Sequence, residues 1–152
     1  MKRDGYIIEE IIDQKNLEDS FDTVVRGTER KNSVEGKWLI ANREWFLAQV
    51  KQEIISGHLN LMPMHRTPTD EELRNGGLHT RDIWEAGKLR HIQVFCMAAR
   101  IKVNAVMEVA DRHIKRRFIR TTSSSIKGRG MHDLKAYIED DLRKRGNIRY
   151  WY

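Results

Sequence analysis

Two stretches of this sequence join cations to backbone that an anion can approach closely. In the first, Lys88, Arg90 and His91 stand on or beside the glycine-bearing reversal Glu85-Ala86-Gly87-Lys88. A guanidinium fork beside a tight turn suits a triphosphate, because its fixed donors meet phosphate oxygens in pairs. A solvated edge strand guarded by charge would use the same residues, and the residues alone leave both readings open. In the second, Thr121-Thr122-Ser123-Ser124-Ser125-Ile126-Lys127-Gly128-Arg129-Gly130 combines hydroxyls, backbone N–H groups and two cations ahead of a helical pattern. Such a segment can hold a phosphate backbone, with a plain flexible connector as the alternative. It lacks the G-x-x-x-x-G-K-[ST] spacing of a nucleotide P-loop, which disfavours a Walker-type ATPase.

Between the two, Arg112-His113-Ile114-Lys115-Arg116-Arg117 and Arg120 place cations on successive helical turns, as a helix lying along nucleic acid would. Glu108 with Arg112 and Asp111 with Lys115 are i,i+4 pairs, which leaves Arg116, Arg117 and Arg120 without a local acid. The net charge of +6 is unevenly spread: residues 86–130 hold eleven Lys or Arg against Glu108 and Asp111, and the remainder is slightly acidic. A polyanion is the natural partner of such a region. Other chemistry is weakly supported. The six histidines show no H-E-x-x-H or Cys/His spacing that would hold zinc. The single cysteine, Cys96, lies in the apolar run Val94-Phe95-Cys96-Met97 and reads as a core residue, not a nucleophile. Tyr137-Ile138-Glu139-Asp140-Asp141 falls inside a helical pattern and reads as a solvated acidic face.

The elements that must carry these groups follow from periodicity. Ile7, Ile8, Ile11 and Ile12 predict a short helix capped by Asp4, and a second is expected from Asn16, with Leu17, Phe21, Val24 and Val25 on one face. Arg26 to Asn32 reads as a polar loop. A long helix is expected from Asn32-Ser33-Val34-Glu35, a spacing like a capping box, to Gly57; it carries Trp38 and Trp45. Arg66 to Gly77, with Pro68 and Gly76-Gly77, has turn chemistry and reads as a surface loop. His79 to Trp84 and Leu89 to Phe95 alternate like strands and predict an antiparallel hairpin at about 79–95. A helix over about 98–120 buries Val103, Val106, Met107, Ala110, Ile114 and Phe118, and a last helix begins near Met131. Ile148 to Tyr152 is β-prone. The expected fold class is α+β: a mainly helical body with a small antiparallel β-hairpin.

At 152 residues, with 39% hydrophobic and 33% charged side chains, the chain can bury a core without disulfide or metal. No stretch approaches the roughly 20 apolar residues of a membrane span, so no membrane partner and a cytoplasmic location are expected.

The order of these features resembles the N-terminal half of a bacterial reverse transcriptase of the group II intron-like class, over nearly the whole chain. Asn16-Leu17 through Val24 and the long helix ending Gly57-His58-Leu59 are similar to that family's N-terminal extension, over residues 1–60. Lys88-Leu89-Arg90-His91-Ile92, then Arg100-Ile101 and Asn104-Ala105, resembles the Gly-Lys-x-Arg-x-Leu … Asp-Arg-x-x-Gln-x-Ala block of the fingers, over residues 61–152. The family's usual upstream lysine falls near Trp84, and Ala98-Ala99 replaces the acid before the second arginine. Ser125-Ile126-Lys127-Gly128-Arg129-Gly130-Met131-His132-Asp133 resembles Gly-Phe-Arg-Pro-Gly-Arg-x-x-His-Asp, with Lys127 in place of the proline.

The resemblance implies an RNA-directed DNA polymerase, a nucleotidyltransferase of a retroelement. Arg90 would be its contact to the incoming deoxynucleoside triphosphate, with Lys88 beside it. Arg100, Arg112, Arg116, Arg117, Arg120, Lys127, Gly128, Arg129 and His132 would contact the RNA template or the RNA/DNA duplex. Arg149-Tyr150-Trp151-Tyr152 looks like the start of the palm strand that brings the first metal-binding aspartate. The chain is therefore expected to be a truncated fragment with no catalytic or metal-binding residue and no cofactor of its own; magnesium is implied for the parent enzyme. Two other classes compete with this reading: a stand-alone basic RNA- or DNA-binding accessory protein, and an assembly module that forms a homodimer through the Trp-bearing helix.

Overall fold

The computed structural model describes residues 7–115 and 131–145. The fold is α+β: helices α1 (Ile7–Ile11), α2 (Gln14–Val25), α3 (Thr28–Asn32), α4 (Val34–Ala41), α5 (Arg43–Ser56) and α6 (Asp70–Arg74) precede an antiparallel pair, β1 (Leu78–Glu85) and β2 (Lys88–Phe95). Helices α7 (Met97–Lys115) and α8 (Met131–Arg145) follow. The chain forms two compact units, one through Ala110 and one from Asp111. The expected Asp4 cap, Phe118 and the strand at 148–152 lie outside the described residues.

One apolar core joins α2, α4, α5 and the first half of α7. Leu17 and Phe21 of α2 meet Leu39 of α4, Phe46 and Val50 of α5, and Ala98, Ala99, Ile101 and Ala105 of α7, all essentially inaccessible to water. Phe21 and Phe46 pack at 6.2 Å between centroids, inclined at 59°. Asn16 is not the cap of α2. Asp13 takes that place, accepting from the backbone N–H of Lys15 and Asn16, because Gln14 is already helical. The Asn16 amide instead donates to the carbonyls of Ile11 and Ala105 at 2.8 and 3.0 Å, tying α2 to the backbone of α7.

The expected long helix is broken at Asn42, whose backbone N–H and side chain both donate to the Trp38 carbonyl, ending α4 before α5 begins. Ser33, not Asn32, caps α4, accepting from Gly36 N–H at 3.0 Å. Glu35 is thereby freed from a local cap and accepts from Ala98 N–H at 3.1 Å, satisfying one of the orphan donors that open α7. Two segments read as loops contain helices. Thr28–Asn32 forms α3, and Asp70–Arg74 forms α6 behind a true capping box of Thr69 and Glu72.

Helix α7 is rotated from its expected orientation. Its inaccessible side is Ala98, Ile101, Lys102, Ala105 and Val109, whereas Val103, Val106 and Ala110 are half-buried and Met107 and Ile114 are exposed. Ala98 and Ala105 let α7 approach the other helices closely on this side. Lys102 enters the core because its ammonium reaches both carboxylate oxygens of Glu53, at 2.9 and 2.8 Å, and the Asn60 carbonyl at 2.7 Å. Cys96 is buried as expected, and burial pushes its thiol up to about 11, leaving it protonated and unreactive at neutral pH.

In the second unit, α8 carries Glu139 and Asp140 on solvent-exposed positions, with Asp140 held by Lys144 at 2.7 Å. Glu139 and Asp140 of the acidic run are therefore helix surface, as the periodicity predicts.

Candidate nucleic-acid interface

The hairpin is largely exposed, with Phe95 at its base packed against the core. β1 and β2 pair in register from Leu78 opposite Phe95 to Glu85 opposite Lys88. The two residues between them, Ala86 and Gly87, have φ of 49° and 75°. Positive φ at both positions marks a type I′ turn, the two-residue reversal whose twist matches paired strands, and Gly87 takes that conformation without penalty.

Alternation along paired strands then sorts the side chains onto two faces. One face carries Trp84 opposite Leu89 at the tip, then Asp82 opposite His91, then Thr80 opposite Gln93. Trp84 is 75% exposed, the most open of the aromatic residues described. The other face carries Glu85 opposite Lys88, Ile83 opposite Arg90 and Arg81 opposite Ile92. Ile83 and Ile92 are half-buried there while Arg81, Lys88 and Arg90 are exposed. The hairpin is thus a ribbon with an aromatic tip on one face and three cations on the other.

Both acids of the ribbon are engaged. Asp82 meets His91 Nδ1 at 2.6 Å, and Arg90 Nε donates to Glu85 at 2.7 Å. All four side chains are more than half exposed, so each pair holds weakly in water. A phosphate can displace Glu85 from Arg90 at little cost, since it offers the same fork a stronger charge. Arg81 and Lys88 make no ion pair among the described residues.

The base of the ribbon is held firmly. Glu71 of α6 accepts from the backbone N–H and hydroxyl of Thr80 at 2.9 and 2.6 Å, and these bonds lower its pKa. Glu72 is fully buried and takes both guanidinium branches of Arg66, at 2.8 and 2.6 Å, together with the Thr69 N–H at 2.8 Å. The Arg66 hydrogen bonds hold its carboxyl down at about 2 against the opposing effect of burial. Gly77 allows the chain to pass the Leu61 carbonyl, where a Cβ would collide. At the other end β2 runs through Cys96 straight into α7.

The residues expected to contact nucleic acid are distributed as follows. Lys88 and Arg90 fall on one face of β2, two positions apart, as a shared phosphate contact requires. Arg100 is exposed on the second turn of α7, and Arg112 is exposed further along that helix. His132 is exposed on α8 in the second unit. Arg116, Arg117, Arg120, Lys127, Gly128 and Arg129 lie outside the described residues. Lys102, one of the eleven cations that made the central region basic, is internal and unavailable to a ligand. Arg81 and Trp84 complete the ribbon and were not singled out by sequence reasoning as ligand contacts. Counting outward from the two-residue turn would have placed Arg81 on the face of Lys88 and Arg90.

Among the described residues no group of three His, Cys, Asp or Glu side chains gathers to hold a metal ion. No described helix is long and apolar enough to cross a membrane. Comparison of the chain with protein families, curated proteins and solved structures finds no match to any of them.

Proposed function

We propose that this chain is a nucleic-acid-gripping fingers module of an RNA-directed DNA polymerase. The observation that carries the reading is the ribbon, held at its base by Glu71, with Arg81, Lys88 and Arg90 exposed on one face. In this reading Arg90 exchanges Glu85 for the triphosphate of the incoming nucleotide and Lys88 adds a second positive charge. Arg100 and Arg112, with Arg116, Arg117, Arg120, Lys127, Gly128, Arg129 and His132, follow the backbone of the RNA template and the RNA/DNA duplex. Magnesium would serve the polymerase reaction in this reading, and among the described residues no group of three His, Cys, Asp or Glu side chains gathers to hold it.

Binding of single-stranded RNA or primer–template to the chain is expected to be strongly salt-dependent. A chain neutralising about five phosphates of a single strand loses about a hundredfold in affinity for a fourfold rise in salt, as displaced counterions return. Absent or salt-insensitive binding would remove the proposal. Within the polymerase, Arg90→Ala is expected to raise the KM for nucleotide with little change in template affinity, and Arg129→Ala to do the reverse. The opposite pattern in steady-state kinetics and template titrations would show that the two roles are misassigned.

A further inference from the structure

The charge map accounts for phosphates but leaves the tip of the ribbon unexplained. Trp84 is 75% exposed and lies directly opposite Leu89, itself 43% exposed, at the last strand positions before the flanking pair Glu85 and Lys88. An indole that open in water forgoes a large burial gain, and a tip of two small residues, Ala86 and Gly87, gives it no cover. Among the other described aromatic residues, Phe21 and Phe46 are in the core, and Trp38 sits partly buried with its ring edge-on at 6.1 Å to that of Trp45, which is itself 55% exposed. Trp84 has no such ring partner among the described residues.

We infer that the hairpin tip is a stacking platform for one unpaired nucleobase of a single-stranded nucleic acid, with the indole of Trp84 as its face and Leu89 as its shoulder. The inference rests on the nucleic-acid reading above and adds to it the part of the nucleotide that the tip recognises. The occupant follows from the two faces of the ribbon. Arg81 on one face, beside the Lys88 and Arg90 assigned to the incoming triphosphate, complements the phosphates of a nucleic-acid chain. A planar, weakly polar surface on the other complements what such a chain carries between its phosphates. A base inside a duplex is already stacked on both sides and cannot offer its face to an indole, so the platform selects unpaired positions. Stacking tolerates every base, so the tip discriminates single strand from duplex and not one sequence from another. The near neighbours of Trp84 on its face, Asp82 and His91, meet each other at 2.6 Å.

The test uses the full chain and three labelled ligands of one length: a single-stranded RNA, its blunt duplex, and a strand with abasic positions. The wild-type chain should bind the single strand more tightly than the abasic strand. Trp84→Ala should weaken single-strand binding by about 5- to 100-fold, the range of one base–aromatic stack, and abolish the preference over the abasic strand. Its salt slope should stay that of the wild type, because no phosphate contact is lost. Trp84→Phe should retain most of the affinity, whereas Arg81→Ala should lower the salt slope by about 0.7 without changing the preference for bases. Trp84 is solvent-exposed, so circular dichroism of the variant should superpose on that of the wild type.

Four results would overturn the inference. If the wild-type chain binds RNA with the expected salt dependence but treats abasic and normal strands alike, the platform falls and the nucleic-acid reading stands. Equal losses for all three ligands in Trp84→Ala would have the same meaning. If Trp84→Ala leaves RNA binding unchanged and instead converts a self-associating chain to a monomer in sedimentation, the tip serves a second copy of this chain. A wild-type chain that binds no nucleic acid at low salt removes both claims.

Discussion

Lys102→Ala should cost the fold about 3–5 kcal/mol, as removal of one partner from a buried ion pair does. The ammonium of Lys102 has no solvent exposure and Glu53 is only 8% exposed, so neither charge can turn to water when the other is lost. The carboxylate of Glu53 would retain only the Asn60 N–H, at 2.9 Å, and the Asn60 carbonyl would lose its 2.7 Å donor. The pair joins the end of α5 and the loop after it to the buried side of α7, and α7 follows directly from the hairpin. Glu53→Ala should be similarly severe. Replacing both residues together, with Lys102→Met and Glu53→Leu, should recover most of the loss, since apolar side chains of similar volume need no partner. Chemical denaturation of the three variants measures this directly. A loss below about 1 kcal/mol in Lys102→Ala would mean that water reaches the site and that the pair is a surface interaction.

The second large effect is on acid stability. The carboxyl of Glu72 titrates at about 2 in the folded chain against an ordinary 4.5, chiefly because Arg66 donates to it. A folded pKa below the unfolded one stabilises the fold above the unfolded value, and that contribution is lost as pH falls through the folded value. Here the window runs from about 4.5 down to about 2. The shift corresponds to roughly 3 kcal/mol at neutral pH. Glu71, whose pKa is lowered by Thr80, acts in the same direction. Glu72→Gln should therefore be less stable than the wild type near pH 6, with the gap closing as the pH approaches 2. Denaturation midpoints measured across that range provide the check. A gap that stays constant with pH would show that the glutamate contributes packing and hydrogen bonds but not charge. Because Glu72 holds Arg66 and the Thr69 cap beneath β1, hydrogen exchange in β1 should accelerate in parallel.

Local rules carried much of this structure. The ribbon was legible because period-two alternation and a two-residue reversal containing glycine are both short-range signals, readable within about a dozen residues. The stop of α5 at Gly57, the surface position of Glu139 and Asp140 in α8 and the burial of Cys96 were legible for the same reason. Two short helices, α3 and α6, escaped notice. In α6, Pro68 and the Gly76-Gly77 pair suggested a loop, but Thr69 and Glu72 cap a single turn between them. The break at Asn42 was hidden because apolar residues continue across it, and a side chain bonding to its own backbone leaves no trace in hydrophobic periodicity.

The sequence by itself determined the fold class, the hairpin with its turn, and the concentration of positive charge after Ala86. Only the tertiary structure decided which of those charges remain available and what surrounds them. Lys102 counted among the eleven cations of the central region until Glu53, 49 positions away, drew it into the core. Glu35 looked like part of a local cap until it was found on the first turn of α7, 63 positions on. Trp84 and Arg81 acquired their places only when strand register put one beside Leu89 and the other on the face of Arg90. For Lys102 and Glu35 the deciding term is desolvation. A buried polar group must be matched by whichever distant group the fold brings within about 3 Å, and no window of neighbouring residues contains that partner.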